Sequence, residues 1–199
     1  LVIVSSQKAF GTPPGLTIGA FNAKALALRE QMGTVAGYYV DWKNWLPIMD
    51  NPSMYFSTPP VNLIQALAKS VQMILEEGLE ARYARHERIA RSFRAGLKAI
   101  GLELITAADA VAPTLSVIKY PDGLDDVAFR AKMEEYDIVV AGGVGPLKGK
   151  IFQVGHMGNI CINELVLTLY AVERSLTALG VKVAQGAAVG AAWAEWHKG

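Results

Sequence analysis

The sequence contains very little cysteine and almost no excess charge of either sign. Cys161 is the one cysteine among 199 residues, so an internal disulfide is excluded, and such usage is typical of a reducing compartment. We therefore expect a cytoplasmic protein. The 19 basic and 18 acidic side chains leave a net charge of +1, which predicts no nucleic-acid partner, because such partners select a basic surface.

Histidine and long apolar runs are also scarce. His86 lies beside the apolar stripe of a predicted helix without a second ligand at metal spacing, so we expect a packing histidine and no metal site. The longest apolar runs are well short of the roughly 20 residues that span a membrane, and the first residues lack the charged segment of a signal peptide. We expect neither a membrane segment nor a leader.

The sequence is rich in core-forming residues, at 52% hydrophobic, which fits one large or two small globular domains. It begins without a methionine, inside an apolar run that predicts a core strand. We therefore expect a fragment or one chain of a split enzyme, with an N-terminal half supplied separately.

The first 22 residues predict a strand, a corner and a second strand. The apolar runs 1–4 and 16–21 flank a polar turn that contains Lys8 and ends in Pro13-Pro14-Gly15. Short apolar runs bounded by Gly and Pro predict buried strands. Lys8 is then either a surface lysine, which is its usual state, or a partly desolvated amine suited to Schiff-base chemistry.

The rest of the sequence alternates helical and strand patterns, which predicts a mixed α/β fold. Trp42 and Trp45 are spaced as one face of a helical turn and predict an aromatic brace in a core or dimer interface. The tail from residue 185 allows a short helix through Trp193 and Trp196. Predicted helices span residues 23–32, 61–77, 79–100, 125–135 and a last long segment from 163; predicted strands after the first two span 102–105, 114–120, 138–141 and 151–155.

Three segments carry a resemblance to a known family. The run Ser5-Ser6-Gln7-Lys8 before Pro13-Pro14-Gly15 resembles the cofactor-lysine segment of class V aminotransferases, in the alanine–glyoxylate, serine–pyruvate and serine–glyoxylate group. Segments 55–61 and 142–158 resemble two further hallmarks in the same order. The resemblance implies fold type I of the pyridoxal 5′-phosphate (PLP) enzymes. Residues 1–77 would be the C-terminal part of the PLP-binding large domain, and residues 78–199 the small C-terminal α/β domain.

The resemblance also implies roles for single residues. Lys8 would form the Schiff base with PLP and act as catalytic base, and Gln7 would bind the cofactor phosphate in the same subunit. Tyr55 and Thr58 would bind the phosphate of the partner in a homodimer or split-chain complex; hydroxyls and an amide suit a phosphate dianion. The implied reaction is transamination between alanine or serine and a 2-oxo acid, glyoxylate or pyruvate.

One position departs from the family. Where the family usually has an arginine that holds the substrate α-carboxylate in a bidentate pair, this sequence has Gln153. Lys148, Lys150 or His156 could replace the missing charge, or the substrate lacks the carboxylate, as for an amine-directed transaminase or a lyase. A non-catalytic relative is the remaining alternative. Since the resemblance assigns the ring-binding aspartate to the half before Leu1, we expect the 199 residues alone to be inactive.

Overall fold

The computed structural model describes residues 1–198 and divides the chain into two compact units, Leu1–Met73 and Ile74–Gly199. The mixed α/β fold predicted from the sequence is confirmed. The strands are β1 (Val2–Ser5), β2 (Thr17–Ala20), β3 (Leu115–Lys119), β4 (Ala141–Gly142) and β5 (Ile151–Gly155). The helices are α1 (Ala23–Gln31), α2 (Trp42–Asp50), α3 (Val61–Glu77), α4 (Leu79–Ala99), α5 (Asp126–Glu134), α6 (Ile162–Ala178) and α7 (Ala187–Trp196).

In the first unit, β1 and β2 pair antiparallel, with Val2 opposite Ala20 and Ser5 opposite Thr17. Both predicted strands are present, but their predicted burial is wrong: the side chains of Val2 and Ile3 are 60% and 64% exposed. Within residues 1–198 this sheet has two strands, so no further layer removes its apolar side chains from water.

Side-chain caps start α1 and α2 in the first unit. Asn22 accepts from the backbone N–H of Ala25 at 3.1 Å, which satisfies an amide that the first turn of α1 leaves free. Asp41 caps α2 by accepting from Lys43 N–H at 3.2 Å, and Arg29 of α1 donates from Nε to Asp41 Oδ1 at 2.7 Å. The Arg29 hydrogen bond holds the pKa of Asp41 below its usual range.

In the second unit, three antiparallel strands lie in the order β3-β5-β4. Ile118, Phe152 and Val154 point from one face into a hydrophobic core. Because neighbouring side chains on a strand alternate between faces, Gln153 lies on the opposite face. The helical elements pack around this core, and every buried hydrophobic residue of the described chain lies between Ile89 and Ala192.

Two predicted strands are wrong in large part. Residues 102–105 form a single bridge, Leu104 to Ile118, and of residues 138–141 only the last enters β4. Helix ends use the backbone amides that a strand would need. Leu102 N–H bonds the Leu97 carbonyl at the end of α4, and Ile138 N–H bonds the carbonyl of Met133 at the end of α5.

The helix predicted near residue 193 is confirmed as α7 and is built into the core. Glu173 of α6 is 2% exposed, and its carboxylate accepts from Gly186 N–H at 2.8 Å and Ala188 N–H at 2.6 Å. The carboxylate thereby caps the start of α7. Gly96 lets α7 approach α4, because a Cβ atom there would lie 2.8 Å from the Ala188 carbonyl oxygen.

Among residues 1–198, no helix is both long enough and apolar enough to cross a membrane.

Candidate functional site

A buried serine fixes the turn that carries Lys8. Ser6 is fully buried; its Oγ donates to the Pro13 carbonyl at 2.9 Å and accepts from Leu16 N–H at 3.3 Å. The turn closes through Gly11 N–H, which donates to the Lys8 carbonyl at 2.9 Å. One hydroxyl thus ties the lysine turn to both the proline corner and the start of β2.

Helix α3 holds the other side of the same turn. Ser70 is 6% exposed, and its Oγ donates to the Phe10 carbonyl. The helix also packs closely on Gly15, where an added Cβ would lie 2.6 Å from Leu63 Cδ1. Sequence reasoning missed Ser70, because a serine within a helical pattern carries no signal for a contact 60 residues away.

The side chains of Gln7 and Lys8 are exposed on this turn. Neither makes a side-chain hydrogen bond or ion pair to any residue the structure describes. Lys8 is therefore an exposed lysine, the first of the two alternatives, and its amine is not partly desolvated. The result is an unpaired primary amine presented on a backbone held by two buried hydroxyls.

Tyr55 and Thr58 lie on a second segment of the first unit, between α2 and α3, and both side chains are exposed. Phe56 anchors the segment: its ring centroid lies 4.9 Å from that of Trp45 and 5.3 Å from that of Tyr38, in edge-on geometry. Such aromatic pairs are stabilising beyond their buried area. The tryptophan brace therefore packs inside this unit and fixes the segment, a role for Phe56 that sequence reasoning missed.

The structure places the four predicted cofactor residues in pairs. Gln7 and Lys8 share one turn, and Tyr55 and Thr58 share one loop, all within Leu1–Met73. No hydrogen bond joins the side chains of the two pairs in the described part of the chain.

Gln153 lies in the second unit, at the centre of β5, opposite Val117 on one side and Ala141 on the other. Its side chain is half-buried, and its Nε2 donates to the Gly142 carbonyl at 3.0 Å. The Gln153 amide nitrogen, predicted as a donor to the substrate, therefore makes a hydrogen bond within the protein instead.

A charged cluster where α3 ends and α4 begins holds the loop that follows β5. The carboxylate of Glu77 binds Arg82 at 2.8 Å and Arg85 at 2.5 Å, and the hydrogen bond from Arg85 lowers the pKa of Glu77 to about 2. Arg85 donates to the Gly158 carbonyl at 3.0 Å, and His86 Nε2 accepts from Gly158 N–H at 3.1 Å. The packing histidine predicted at position 86 is confirmed.

The candidate cations near Gln153 differ in availability. His156 is 1% exposed, and its Nε2 bonds Ser116 Oγ at 2.9 Å. Burial, assisted by the charge of Arg94, lowers the pKa of His156 to about 4, so the ring is neutral near pH 7 and supplies no charge to a carboxylate. Lys148 and Lys150 are exposed.

Clusters of metal-ligating side chains are absent from residues 1–198: no three or more His, Cys, Asp or Glu converge there in a way that could hold an ion.

Several known proteins that are similar to this chain are aminotransferases. No protein-family profile matches it. An uncharacterised aminotransferase of Methanocaldococcus jannaschii is 39% identical over 92% of this chain and 48% of its own length. Ureidoglycine–glyoxylate aminotransferase from Bacillus subtilis superposes with a TM-score of 0.91 at 27% identity, over 98% of this chain and 51% of that protein. These similar proteins are class V aminotransferases.

A second class V aminotransferase, the pyridoxamine–pyruvate transaminase of Mesorhizobium japonicum, is 34% identical over 98% of this chain and 50% of its own length. The fold is type I of the PLP-dependent enzymes. The chain spans about half the length of these class V aminotransferases, which is consistent with the predicted C-terminal half.

Proposed function

We propose that this chain is the C-terminal half of a PLP-dependent aminotransferase that moves an amino group between alanine or serine and glyoxylate or pyruvate. The supporting observation is the construction of the Lys8 turn. Ser6 and Ser70 are the buried side chains of the first unit, and both hydrogen-bond this turn. A rigid backbone that presents an unpaired amine is what a covalent cofactor tether requires.

The exposed polar groups of the first unit fit the proposed cofactor. PLP carries an aldehyde, which a primary amine can attack, and a phosphate dianion, which accepts hydrogen bonds. Lys8 supplies the amine, while the Gln7 amide and the hydroxyls of Tyr55 and Thr58 are donors that add no charge. These groups lie on a turn and a loop whose backbones Ser6 and Phe56 hold in place.

Each residue then has a defined task. Lys8 Nζ would tether the cofactor and, as a free amine, would move the proton at the substrate Cα. Gln7 donates to the phosphate in its own subunit, and Tyr55 and Thr58 donate to the phosphate of the partner in a homodimer or split-chain complex. When bound, PLP supplies the electron sink of the reaction. We propose that the counterpart of the relatives' other half binds its ring, so these 199 residues alone do not turn over substrate.

A second function is an amine-directed transaminase on the same fold. Gln153 favours it, because a neutral amide is a poor partner for a substrate carboxylate. The pyridoxamine–pyruvate transaminase named above is a relative whose named donor is an amine. A lyase or a non-catalytic relative would also tolerate Gln153. From the single, unpaired Cys161 we propose a cytoplasmic location.

Covalent trapping tests the role of Lys8. The protein, co-produced with any separately encoded N-terminal half, is incubated with PLP, reduced with borohydride and digested, and the modified peptide is identified by mass spectrometry. We expect label on Lys8 and loss of the visible absorbance band in Lys8→Ala. Lys24→Ala, which removes another exposed lysine of the first unit, is the matched control and should keep both signals. Label spread equally over surface lysines contradicts the proposal.

A further inference from the structure

Lys8 is the shared residue of two consecutive turns. Its N–H donates to the Ser5 carbonyl at 3.3 Å, and its carbonyl accepts from Gly11 N–H at 2.9 Å. Both backbone hydrogen-bonding groups of the lysine are therefore engaged within the turns. Because the side chain is a flexible four-carbon stem, the backbone is the part of this residue that hydrogen bonds can hold in one orientation.

Thr12 closes the loop that contains these turns. Its backbone N–H and its hydroxyl both donate to the Ser6 carbonyl, at 3.2 Å and 3.0 Å. A carbonyl oxygen has two lone pairs and can accept both bonds. The two residues are six positions apart, and Lys8 lies between them, so these bonds join the two ends of the loop around the lysine.

Ser6 makes a reciprocal bond to the residue after Thr12. Its hydroxyl donates to the Pro13 carbonyl at 2.9 Å, while the Thr12 hydroxyl donates to the Ser6 carbonyl. We call this arrangement of residues 6, 12 and 13 the Ser6–Thr12 clasp. Pro13 disfavours a helical backbone at Thr12, and a β-branched side chain has few rotamers. The threonine hydroxyl therefore loses little freedom when it binds the carbonyl.

We propose that Thr12 is a positioning residue for Lys8: its hydroxyl holds the loop of residues 6–12 closed and so fixes the direction in which the Lys8 side chain leaves the backbone. This inference rests on the proposed function, in which Lys8 Nζ bonds the cofactor. In this role Thr12 acts through the Ser6 carbonyl and makes no contact with the cofactor. A ligand held by its phosphate presents its aldehyde at one place, and a small misplacement of the amine then lowers the rate at which the two react.

Three substitutions test the role of the hydroxyl. Thr12→Val removes it but keeps the shape and the backbone N–H of the residue. The net contribution of one hydrogen bond corresponds to about 3- to 10-fold in a rate constant, so capture of PLP by Lys8 should slow by that factor. Borohydride trapping at successive times, with mass spectrometry of the Lys8 peptide, measures the rate. Thr12→Ser keeps the hydroxyl and should restore the wild-type rate. Thr17→Val is the matched control, because that hydroxyl is exposed on β2 and bonds no residue that the structure describes.

Formaldehyde separates positioning from a general loss of reactivity. It is a small aldehyde without a phosphate, so it can reach an exposed amine from any direction. Reductive methylation of Lys8 with formaldehyde and cyanoborohydride should therefore proceed at the same rate in wild type and Thr12→Val. Equal slowing with both aldehydes would show that Thr12 affects the reactivity of the amine and not its orientation, and the inference would be wrong.

Hydrogen exchange tests the structural cause without any aldehyde. Exchange at the Gly11 amide should accelerate in Thr12→Val and stay at the wild-type rate in Thr12→Ser. The amides of β5 should keep their wild-type protection in both variants, which shows that the chain is folded. Unchanged exchange at Gly11 in Thr12→Val contradicts the clasp.

The remaining outcomes distinguish this inference from its foundation. Wild-type protein that captures PLP on Lys8 at a rate that Thr12→Val does not alter contradicts the inference and leaves the proposed function standing. Capture as slow in Thr12→Ser as in Thr12→Val assigns the effect to the methyl group and also overturns the inference. Absence of PLP from Lys8 in the wild-type protein contradicts the proposed function, and the inference with it.

Discussion

The two units of this chain use burial for different purposes. In Ile74–Gly199, buried apolar side chains form one core around β5 and α4. In Leu1–Met73, the buried residues are two serines, and both hydrogen-bond the turn that carries Lys8. Apolar burial stabilises a fold in proportion to its area, whereas a buried hydroxyl adds little net stability but fixes geometry. The first unit is thus organised around a turn, and the second around a core.

Truncating matched aromatic residues should expose this contrast most strongly. Phe152→Ala removes a fully buried ring of the second unit and should lower the free energy of unfolding by about 3–5 kcal/mol. Phe56→Ala removes a half-buried ring of the first unit and should lower it by about 1–2 kcal/mol. Urea unfolding followed by hydrogen exchange within each unit measures both, and equal losses would contradict the contrast.

Acid should destabilise the second unit through His156. An unfolded histidine has a pKa of about 6.5, and burial lowers the pKa of His156 to about 4. The unfolded chain therefore binds the proton first, and stability falls as the pH drops from about 6.5 to 4, by about 3 kcal/mol in total. His156→Gln should flatten this slope in urea titrations at successive pH values. A slope that matches the wild type would show that another group causes it.

Removal of Ser70 should loosen the first unit without unfolding the second. Ser70→Ala leaves the Phe10 carbonyl without its buried donor, which costs about 1–3 kcal/mol. Hydrogen exchange should accelerate at the Gly11 amide, which closes the Lys8 turn, and trapping of PLP at Lys8 should slow. Ser53→Ala is the matched control, because that hydroxyl is exposed and bonds the Asn51 side chain alone. Equal effects of the two substitutions would remove the special role of Ser70.

Two glycines in the second unit should respond to alanine in opposite directions. Gly96→Ala would place Cβ 2.7 Å from Leu169 Cδ1 and 2.8 Å from the Ala188 oxygen, and overpacking of this kind costs about 1–3 kcal/mol. Gly190→Ala in α7 meets nothing within 4 Å and should stabilise by about 0.5–1 kcal/mol through helix propensity. Thermal unfolding should move in opposite directions for the two variants; a shared direction contradicts the close approach of α7 to α4.

Local sequence signals predicted much of this fold because they depend on neighbouring residues. Asn22 begins α1, and residues 151–155 form β5 as predicted. The predictions fail where a contact at a helix end, or between residues far apart in the sequence, determines the structure. Leu102 bonds the end of α4 instead of a strand, and Val2 lies in a strand that is exposed. Periodicity reports which face is apolar, but not what covers it.

The candidate site shows the same difference between residues that local segments predict and residues that act through distant contacts. Lys8, Gln7, Tyr55 and Thr58 were named from short segments, and their site roles stay predictions. Sequence could not name the residues that hold them, because Ser70 acts across 60 positions and Phe56 resembles any other core aromatic. The hydrogen bond from Gln153 to Gly142 likewise cannot be predicted from the sequence, because it joins two strands whose register only the fold defines.

The packing of α7 on α4 also determines when the second unit can finish folding during synthesis. Arg88 and the Trp196 carbonyl that it binds are 108 positions apart, and Ala188 and Ala192 of α7 are fully buried. On the ribosome, α4 emerges well before α7, so the side of α4 that α7 covers stays exposed until α7 has been made. A nascent chain halted before residue 187 would leave apolar surface of α4 exposed, which is the state that chaperones bind and proteases clear.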